Sequence, residues 1–343
     1  MFACPSVESD RRQVIVMTQT MVDTGVITRA VELACRAPSL HNSQPWRWVV
    51  RSTTVDLFAD PHRIVTGADS SGREAIISCG AVLDHFRVAM AAIGCDSNID
   101  IFPNPNNLDH LAAIDFTPMG NVAQARRDLA KAILQRRTDR RPFRAPEDWA
   151  SFEPVLHTSY DNDLATLEVL PDEVRPRLAQ ASRLAESLRR YDDLYHHELH
   201  WWTEPSRESE GIPQGSLVSA SDARRVDVKR PFPARWYREQ SSVGPQDQAK
   251  ILLLSTPGDT RRDAFNCGQA LSAVLLECTV AGLATCPVTH VTELEATRDI
   301  IRDLTTDTAA VPQLLIRVGI EPAGEVPPLT PRRPMSDVLE IHR

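Results

Sequence analysis

A surplus of basic residues is the first thing this sequence lacks. Its 38 Lys and Arg stand against 46 Asp and Glu, a formal net charge of -8 at pH 7. That balance excludes a nucleic-acid binder that works by neutralising phosphates, and it leaves the arginines as local tools. A Cys-x-x-Cys pair is also missing. The seven cysteines are odd in number, and Cys35, Cys79, Cys267 and Cys278 fall inside apolar helical runs, which is the usage of a reduced compartment. No cysteine cluster supplies a structural zinc, and no Gly-x-Gly-x-x-Gly follows a strand to announce a Rossmann site. Residues Met1 to Asp10 lack a positively charged start followed by an apolar stretch. Charges interrupt the apolar runs before they reach membrane-spanning length. The expectation is a cytoplasmic protein with neither a nucleic-acid nor a membrane partner. What remains is ordinary: 42% hydrophobic and 24% charged residues describe a folded soluble chain. At 343 residues it can form two domains, or one unit with two similar halves.

Periodicity predicts helix and strand intermixed. The first stretch reads as a helix from Val26 to Arg36, strands Trp46 to Val50 and Val55 to Phe58, and a long helix Arg73 to Ile93. Strands Ile99 to Phe102 and Leu111 to Phe116 and a helix Val122 to Gln135 follow. The second stretch reads as a strand Thr166 to Leu170, a polar helix Glu173 to His200, a strand Ile251 to Leu254, a helix Arg262 to Gly282 and a strand Gln313 to Val318. The two long helices share a basic-acidic-Ala opening and then Cys-Gly-x-x-Leu. A shift of 188 positions carries Cys79 to Cys267, Gly80 to Gly268, Leu83 to Leu271 and Gly94 to Gly282. This self-similarity is read as an internal duplication. Gly80 and Gly268 each cost about 1 kcal/mol of helix propensity, which predicts that close packing requires them. The expected divisions are a flexible segment over 1–25, a first half over 26–120, and a second half over 121–343 carrying a lid-like insertion at about 200–240. Met17 and Met21 lie just ahead of the first organised helix.

Four segments carry the chemistry. The loop Ala37-Pro38-Ser39-Leu40-His41-Asn42-Ser43-Gln44-Pro45-Trp46 is closed at both ends by proline and filled with hydrogen-bonding groups, suited to the polar edge of a flat heteroaromatic ring. The run Arg136-Arg137-Thr138-Asp139-Arg140-Arg141 at a helix end offers forked donors and a hydroxyl to a phosphate. Gly282 to His290, containing Pro287, Val288 and Thr289, follows the second long helix, and Pro331-Arg332-Arg333-Pro334 stands near the C-terminus.

Together these resemble the FMN-dependent nitroreductase superfamily. Pro-Ser-x-His-Asn-x-Gln-Pro-Trp, Arg-Arg-x-Asp-Arg-Arg-x-Phe, Gly-Ile-Pro in an insertion and Arg-Arg-Pro near the end are similar to the Acg-type NAD(P)H nitroreductases of actinobacteria, a dormancy-associated group. The resemblance covers about Val26 to Leu339. It implies an α+β, nitroreductase-like fold whose two degenerate tandem halves form a pseudo-dimer within one chain, expected to be a monomer. It further implies one FMN per chain, with NAD(P)H as electron donor and a nitroaromatic, quinone or similar small molecule as acceptor. The residues so assigned to the cofactor are Pro38, Ser39, His41, Asn42 and Gln44; Arg136, Arg137, Thr138 and Arg140; Pro287, Val288 and Thr289; and Arg332 and Arg333. Within the resemblance, Arg136, Arg140 and the Arg332-Arg333 pair hold the phosphate. Thr289 and His290 replace the family's acidic residue and glycine beside the ring edge.

No side chain need act as acid or base in hydride transfer through a flavin, so no catalytic residue is assigned. No metal site is expected either. His196 and His200 share a helical face, but a zincin helix needs Glu directly after the first of them, and His197 stands there. The aromatic, Pro-punctuated stretch from Trp201 to Tyr237 reads as a lid over the ring. That lid keeps open an alternative function, a flavin-sequestering or storage protein with little turnover.

Overall fold

A computed structural model describes residues 22–51, 54–204, 208–233, 244–324 and 326–342. The remaining residues, among them Met17, Met21, Trp236 and Tyr237, lie outside the described part, and so does most of the segment expected to be flexible. In chain order the elements are α1 (Thr24–Ala34), β1 (Trp46–Arg51), β2 (Thr54–Ala59), α2 (Arg73–Ala92), β3 (Cys95–Ile101), β4 (His110–Pro118), α3 (Gln124–Gln135), α4 (Trp149–His157) and β5 (Thr166–Leu170). There follow α5 (Arg175–Leu188), α6 (Asp193–Trp202), α7 (Ala220–Arg224), β6 (Lys250–Thr256), α8 (Arg261–Val280), β7 (Ala284–Val288), α9 (Glu295–Arg302), β8 (Val311–Gly319), α10 (Met335–Val338) and β9 (Leu339–His342).

The two helices of 20 residues, α2 and α8, cross at the centre. α8 starts on a capping box in which Thr260 and Asp263 satisfy each other's orphan amides. The crossing is set by two glycines: a Cβ on Gly80 would overlap the Phe265 carbonyl oxygen and lie 2.9 Å from Gly268 Cα, and one on Gly268 would overlap the Ile77 carbonyl. Gly94 and Gly282 follow the two helices in the left-handed region, at φ 87° and 74°, where glycine ends a helix without strain. The 188-residue shift therefore carries structural roles as well as letters.

One sheet flanks each side, in the order β3-β4-β2-β1-β9 and β5-β6-β8-β7. A continuous apolar core runs from α1, β1, β2 and β4 through α2 and α8 to β6 and β8. β9 pairs parallel to β1, with Trp48 opposite Leu339, although it belongs to the far end of the chain. The second half thus closes the first half's sheet.

Several expectations are corrected. The polar helix over 173–200 is two helices, because Asp192 leaves the helical path and its carboxylate accepts from Tyr195 N to cap α6. Pro287 lies in β7, a strand that the expected elements do not include, and is tolerated because β7 is at the sheet edge. By length and composition α2 is apolar enough to cross a membrane, against the reading that no run is. Its burial at the crossing accounts for that character. Nor do α4, α9 and β9 have any counterpart among the expected elements.

Candidate functional site

Between the start of α2, the end of β7 and the stretch after α7 lies a cavity of about 670 Å³, within the roughly 300–1,000 Å³ typical of cofactor and ligand sites. The proline-closed loop reaches it from α1. Three of its residues, His41, Asn42 and Gln44, have positive φ (50°, 61° and 51°), a strain of about 1–3 kcal/mol each for a non-glycine residue. The strain is held by a dense set of bonds. Leu40 N donates to Ser78 Oγ at 3.3 Å and Gln44 N to Ser39 Oγ at 3.0 Å. Asn42 Nδ2 donates to the carbonyls of Gly211 and Pro331, and Gln44 Nε2 to those of Asn42 and Ser209.

The loop's strained apex presents His41 to the cavity. Both ring nitrogens are buried and have no hydrogen-bond partner among the described residues. Burial, with Arg230 and Arg140 nearby, holds its pKa well below the ordinary imidazole value, so the ring is neutral. Phe232 approaches it edge-on at 6.2 Å.

Thr138 and Arg140 enter on a strap that follows α3. The strap bridges β7 through Thr138 and Thr285 and through Asp139 N to Thr285 O at 3.0 Å. Its far end is fixed by the buried Arg317–Asp247 pair, which also accepts from Phe143 N at 2.8 Å and donates to the Arg141 carbonyl at 2.9 Å. Arg140 donates to Ser216 O at 3.2 Å and lies over the Phe232 ring at 5.1 Å.

Of the residues assigned from sequence, Pro38, Ser39, His41, Thr138, Arg140, Pro287, Val288 and Thr289 are brought together around the cavity. Asn42, Gln44, Arg136, Arg137, Arg332 and Arg333 are outside its lining. Asn42 and Gln44 shape the loop. Arg137 donates to the carbonyls of Leu134, Gln135 and Arg136, capping α3. Arg333 ties the C-terminal segment to Gln44 through its backbone amide at 2.9 Å and its guanidinium at 3.2 Å.

Arg136 and Arg332 meet next to the loop. Both donate to the Arg36 carbonyl, at 3.3 and 2.8 Å. Arg332 is otherwise spent on Cys35 O, Ala37 O, Thr330 O, Pro331 O and Asn42 Oδ1. Arg136 has Nε and Nη1 buried without a partner. Burial, and then the like charges of Arg36 and Arg137, lower Arg136 to about 10; burial with Arg36 and Arg136 lowers Arg332 as well. A buried guanidinium cluster that no carboxylate among the described residues faces is chemistry suited to an anion.

Sequence reasoning missed much of the wall. Glu74, Ile77 and Ser78 of α2 line the cavity, as do Leu271 of α8 and the stretch 217–233. The insertion does form a wall, through Phe232 and its neighbours. Trp201 and Trp202, expected over a ring, pack in the apolar cluster of Val65, Ala68, Tyr195 and Leu199, against which Leu40 and Phe232 of the cavity wall also rest, because α6 docks on the turn before α2. Glu198 is spent there, on Gly67 N and Thr66 Oγ1. The wall is latched by Arg230, which is ion-paired with Glu293 and donates to Tyr195 Oη and Thr289 Oγ1, both at 3.0 Å. Thr289, standing where the resembled family carries an acid, thus reaches the carboxylate of Glu293 at 2.8 Å. His290 is bonded to Ser182 Oγ at 2.7 Å.

No family model matches the chain. A Mycobacterium tuberculosis protein named "Putative NAD(P)H nitroreductase acg" is 52% identical over 326 residues, 95% of this chain and 98% of its own. A further relative from that organism, named in the same manner, is 36% identical over 334 residues, 93% of this chain and 92% of its own. Among solved structures, that of the FMN-dependent nitroreductase NfnB from Mycobacterium smegmatis in complex with NADPH is 18% identical. It covers 64% of this chain and 100% of its own, with a TM-score of 0.39.

Proposed function

The chain belongs to the acg family of NAD(P)H nitroreductases, and on that premise we propose that it is an FMN-dependent NAD(P)H oxidoreductase whose acceptor is a nitroaromatic, a quinone or a similar small molecule. The observation that carries the reading is the meeting of the strained His41 loop, the Thr138–Arg140 strap and the Pro287–Thr289 edge around one cavity, beside a buried guanidinium cluster in which Arg136 Nε and Nη1 have no partner among the described residues. These residues fit FMN. Arg136 and Arg332, with Arg36, would hold the phosphate, and Thr138 the ribityl chain. Ser39, His41, Arg140 and the β7 end would hold the ring, with Asn42 and Gln44 fixing the loop and Arg137 and Arg333 supporting it. The bound flavin supplies the hydride chemistry. The chain's residues would bind and orient it, and Phe232 with the Arg230 latch would exclude water from the cavity.

The two halves packed through Gly80 and Gly268 are proposed to be a pseudo-dimer inside a monomeric chain. The loop lies in one half and the strap and β7 in the other, which supports a single FMN. A second reading, sequestration of the flavin, is favoured by the latch, since Arg230 is anchored to three partners across the cavity. The purified protein should carry the visible spectrum of an oxidised flavin, release about one FMN per chain on heating, and bleach on anaerobic NADPH addition. Bound flavin that NADPH cannot bleach would select sequestration, and a protein that ignores added FMN would end both readings.

A further inference from the structure

The cavity wall holds one acid that hydride transfer leaves unused. Glu74 stands in the first turn of α2, is 3% exposed and lines the cavity. Its Oε1 accepts from Arg73 Nη2 at 2.7 Å. That guanidinium is shared, for Arg73 also donates to Gln313 O, Gln313 Oε1 and Thr292 O. Two more carboxyl groups press on Glu74. Asp69, from the turn before α2, is buried and accepts from Ala75 N at 2.9 Å. Glu293, beyond β7, is committed to Arg230, with Arg189 3.9 Å away. Burial pushes the Glu74 carboxyl up to about 8, with Asp69 and Glu293 adding to the rise and Arg73 and Arg230 opposing it.

The other titratable groups around the cavity cannot serve in this way. His41 and His290 are held neutral by burial and neighbouring cations, burial raises the Cys286 thiol, Lys229, lowered by burial, commits its Nζ to the Val226 carbonyl at 2.7 Å, and Arg140, Arg224, Arg230 and Arg317 are permanent cations. A carboxyl that keeps its proton near neutrality and opens onto the same space as the acceptor meets the requirement for a general acid.

We infer that Glu74 is the proton donor of this cavity, delivering a proton to the oxygen of the acceptor as hydride reaches the same molecule. The inference rests on the oxidoreductase reading. For a quinone the balance is complete: a hydride from the reduced cofactor and a proton from the Glu74 O–H convert it to the hydroquinone. The carboxylate left behind recovers its proton from water.

The test uses the full chain loaded with FMN, photoreduced without oxygen so that NADPH is not needed, and mixed with benzoquinone at about pH 6 to 10. Glu74→Gln, which keeps an oxygen for Arg73, should reoxidise about 100-fold more slowly below pH 8 and without pH dependence, the scale of a lost general acid. The wild type should slow as pH passes about 8. Glu74→Asp should restore part of the rate and the pH dependence. Infrared spectra of the same proteins give a readout apart from turnover: a protonated-carboxyl band that titrates away over that pH range in the wild type and is missing in Glu74→Gln. Absence of the band, a wild-type pH profile in Glu74→Gln, or no reoxidation in either protein would each overturn the inference. Failure of NADPH to reduce the flavin would instead count against the functional reading, because photoreduction bypasses that step.

Discussion

Replacing Gly80 with alanine probes the element on which both sheets depend. In an ordinary buried helix the change would stabilise by about 1 kcal/mol through propensity. Here the new methyl would meet the Phe265 carbonyl oxygen and stand 2.9 Å from Gly268 Cα. Neither obstacle is a side chain that can turn aside, so α2 and α8 must part by on the order of 1 Å, and overpacking of this kind costs about 1–3 kcal/mol. Parting also opens gaps along the rest of the crossing, and a gap of that size forfeits about a quarter to a half of each contact's attraction. With the propensity gain subtracted, the overpacking cost leaves about 0–2 kcal/mol, the lost attraction along the crossing adds to it, and Gly80→Ala should lose on the order of 2 kcal/mol, read as a lower urea midpoint at unchanged slope. Gly268→Ala should lose a similar amount. The double variant should lose less than the sum, because one separation relieves both methyls, a coupling of about 0.5–3 kcal/mol. Gly282→Ala, with nothing within 4 Å of its Cβ but a φ of 74°, controls for a purely conformational cost of about 1 kcal/mol. A Gly80→Ala protein as stable as the wild type or more so, or strict additivity of the pair, would refute the packing argument.

Three further outcomes follow from the site. Arg136→Ala should weaken FMN binding about ten-fold or more, the value of one charge-assisted bond to phosphate, while leaving riboflavin affinity nearly unchanged; titration of both ligands checks this, and equal losses would mean that the arginine acts on the loop alone. Arg230→Met leaves the buried Glu293 with only the more distant Arg189 at 3.9 Å, which should destabilise by about 3 kcal/mol and speed anaerobic flavin reduction by NADPH, measured by denaturation and stopped-flow absorbance; an unchanged reduction rate would separate the latch from access. For Glu74, whose folded value of about 8 lies above its ordinary 4.5, the native state binds more protons than the unfolded chain between those values, so wild-type stability should fall as pH rises from 4.5 to 8. Glu74→Gln should remove that share of the slope, each unit being worth about 1.4 kcal/mol, and parallel stability curves for the two proteins from pH 5 to 9 would contradict it.

What could be read from sequence was what repeats or is chemically loud. The 3.6-residue period and the shared Cys-Gly-x-x-Leu located α2 and α8 and the glycines where they cross. The alternating apolar runs located β1, β2, β6 and β8. β9 escaped because three of its four residues are exposed and its partner lies at the other end of the chain, so neither period nor spacing marks it. The break between α5 and α6 rests on a single capping carboxylate, Asp192, in a run that is helical in pattern on both sides. At the site, the polar loop and the arginine run were legible as functional groups, but their division of labour was not. Whether Arg332 meets a ligand or a row of carbonyls depends on backbone brought from Cys35 to Ala37. Glu74 looked like an ordinary first-turn acid favoured by the helix dipole, and its unusual proton affinity comes first from burial at the packed start of α2, to which Asp69 from the preceding turn and Glu293 from beyond β7 add.

The pairing of β9 with β1, together with the bonds from Asn42 and Gln44 to Pro331 and Arg333, sets an order of events during synthesis. The loop that carries His41 leaves the ribosome early with its bonds to Ser39 and Ser78 within reach, yet the anchors of Asn42 and Gln44 wait until residues 209–211 and 331–333 exist. An arrested nascent chain ending after β8 would therefore have most of its apolar core but no shaped pocket. On the proposed function, flavin uptake would be the last act of maturation, following translation, and chains released before that segment is made would accumulate without bound flavin.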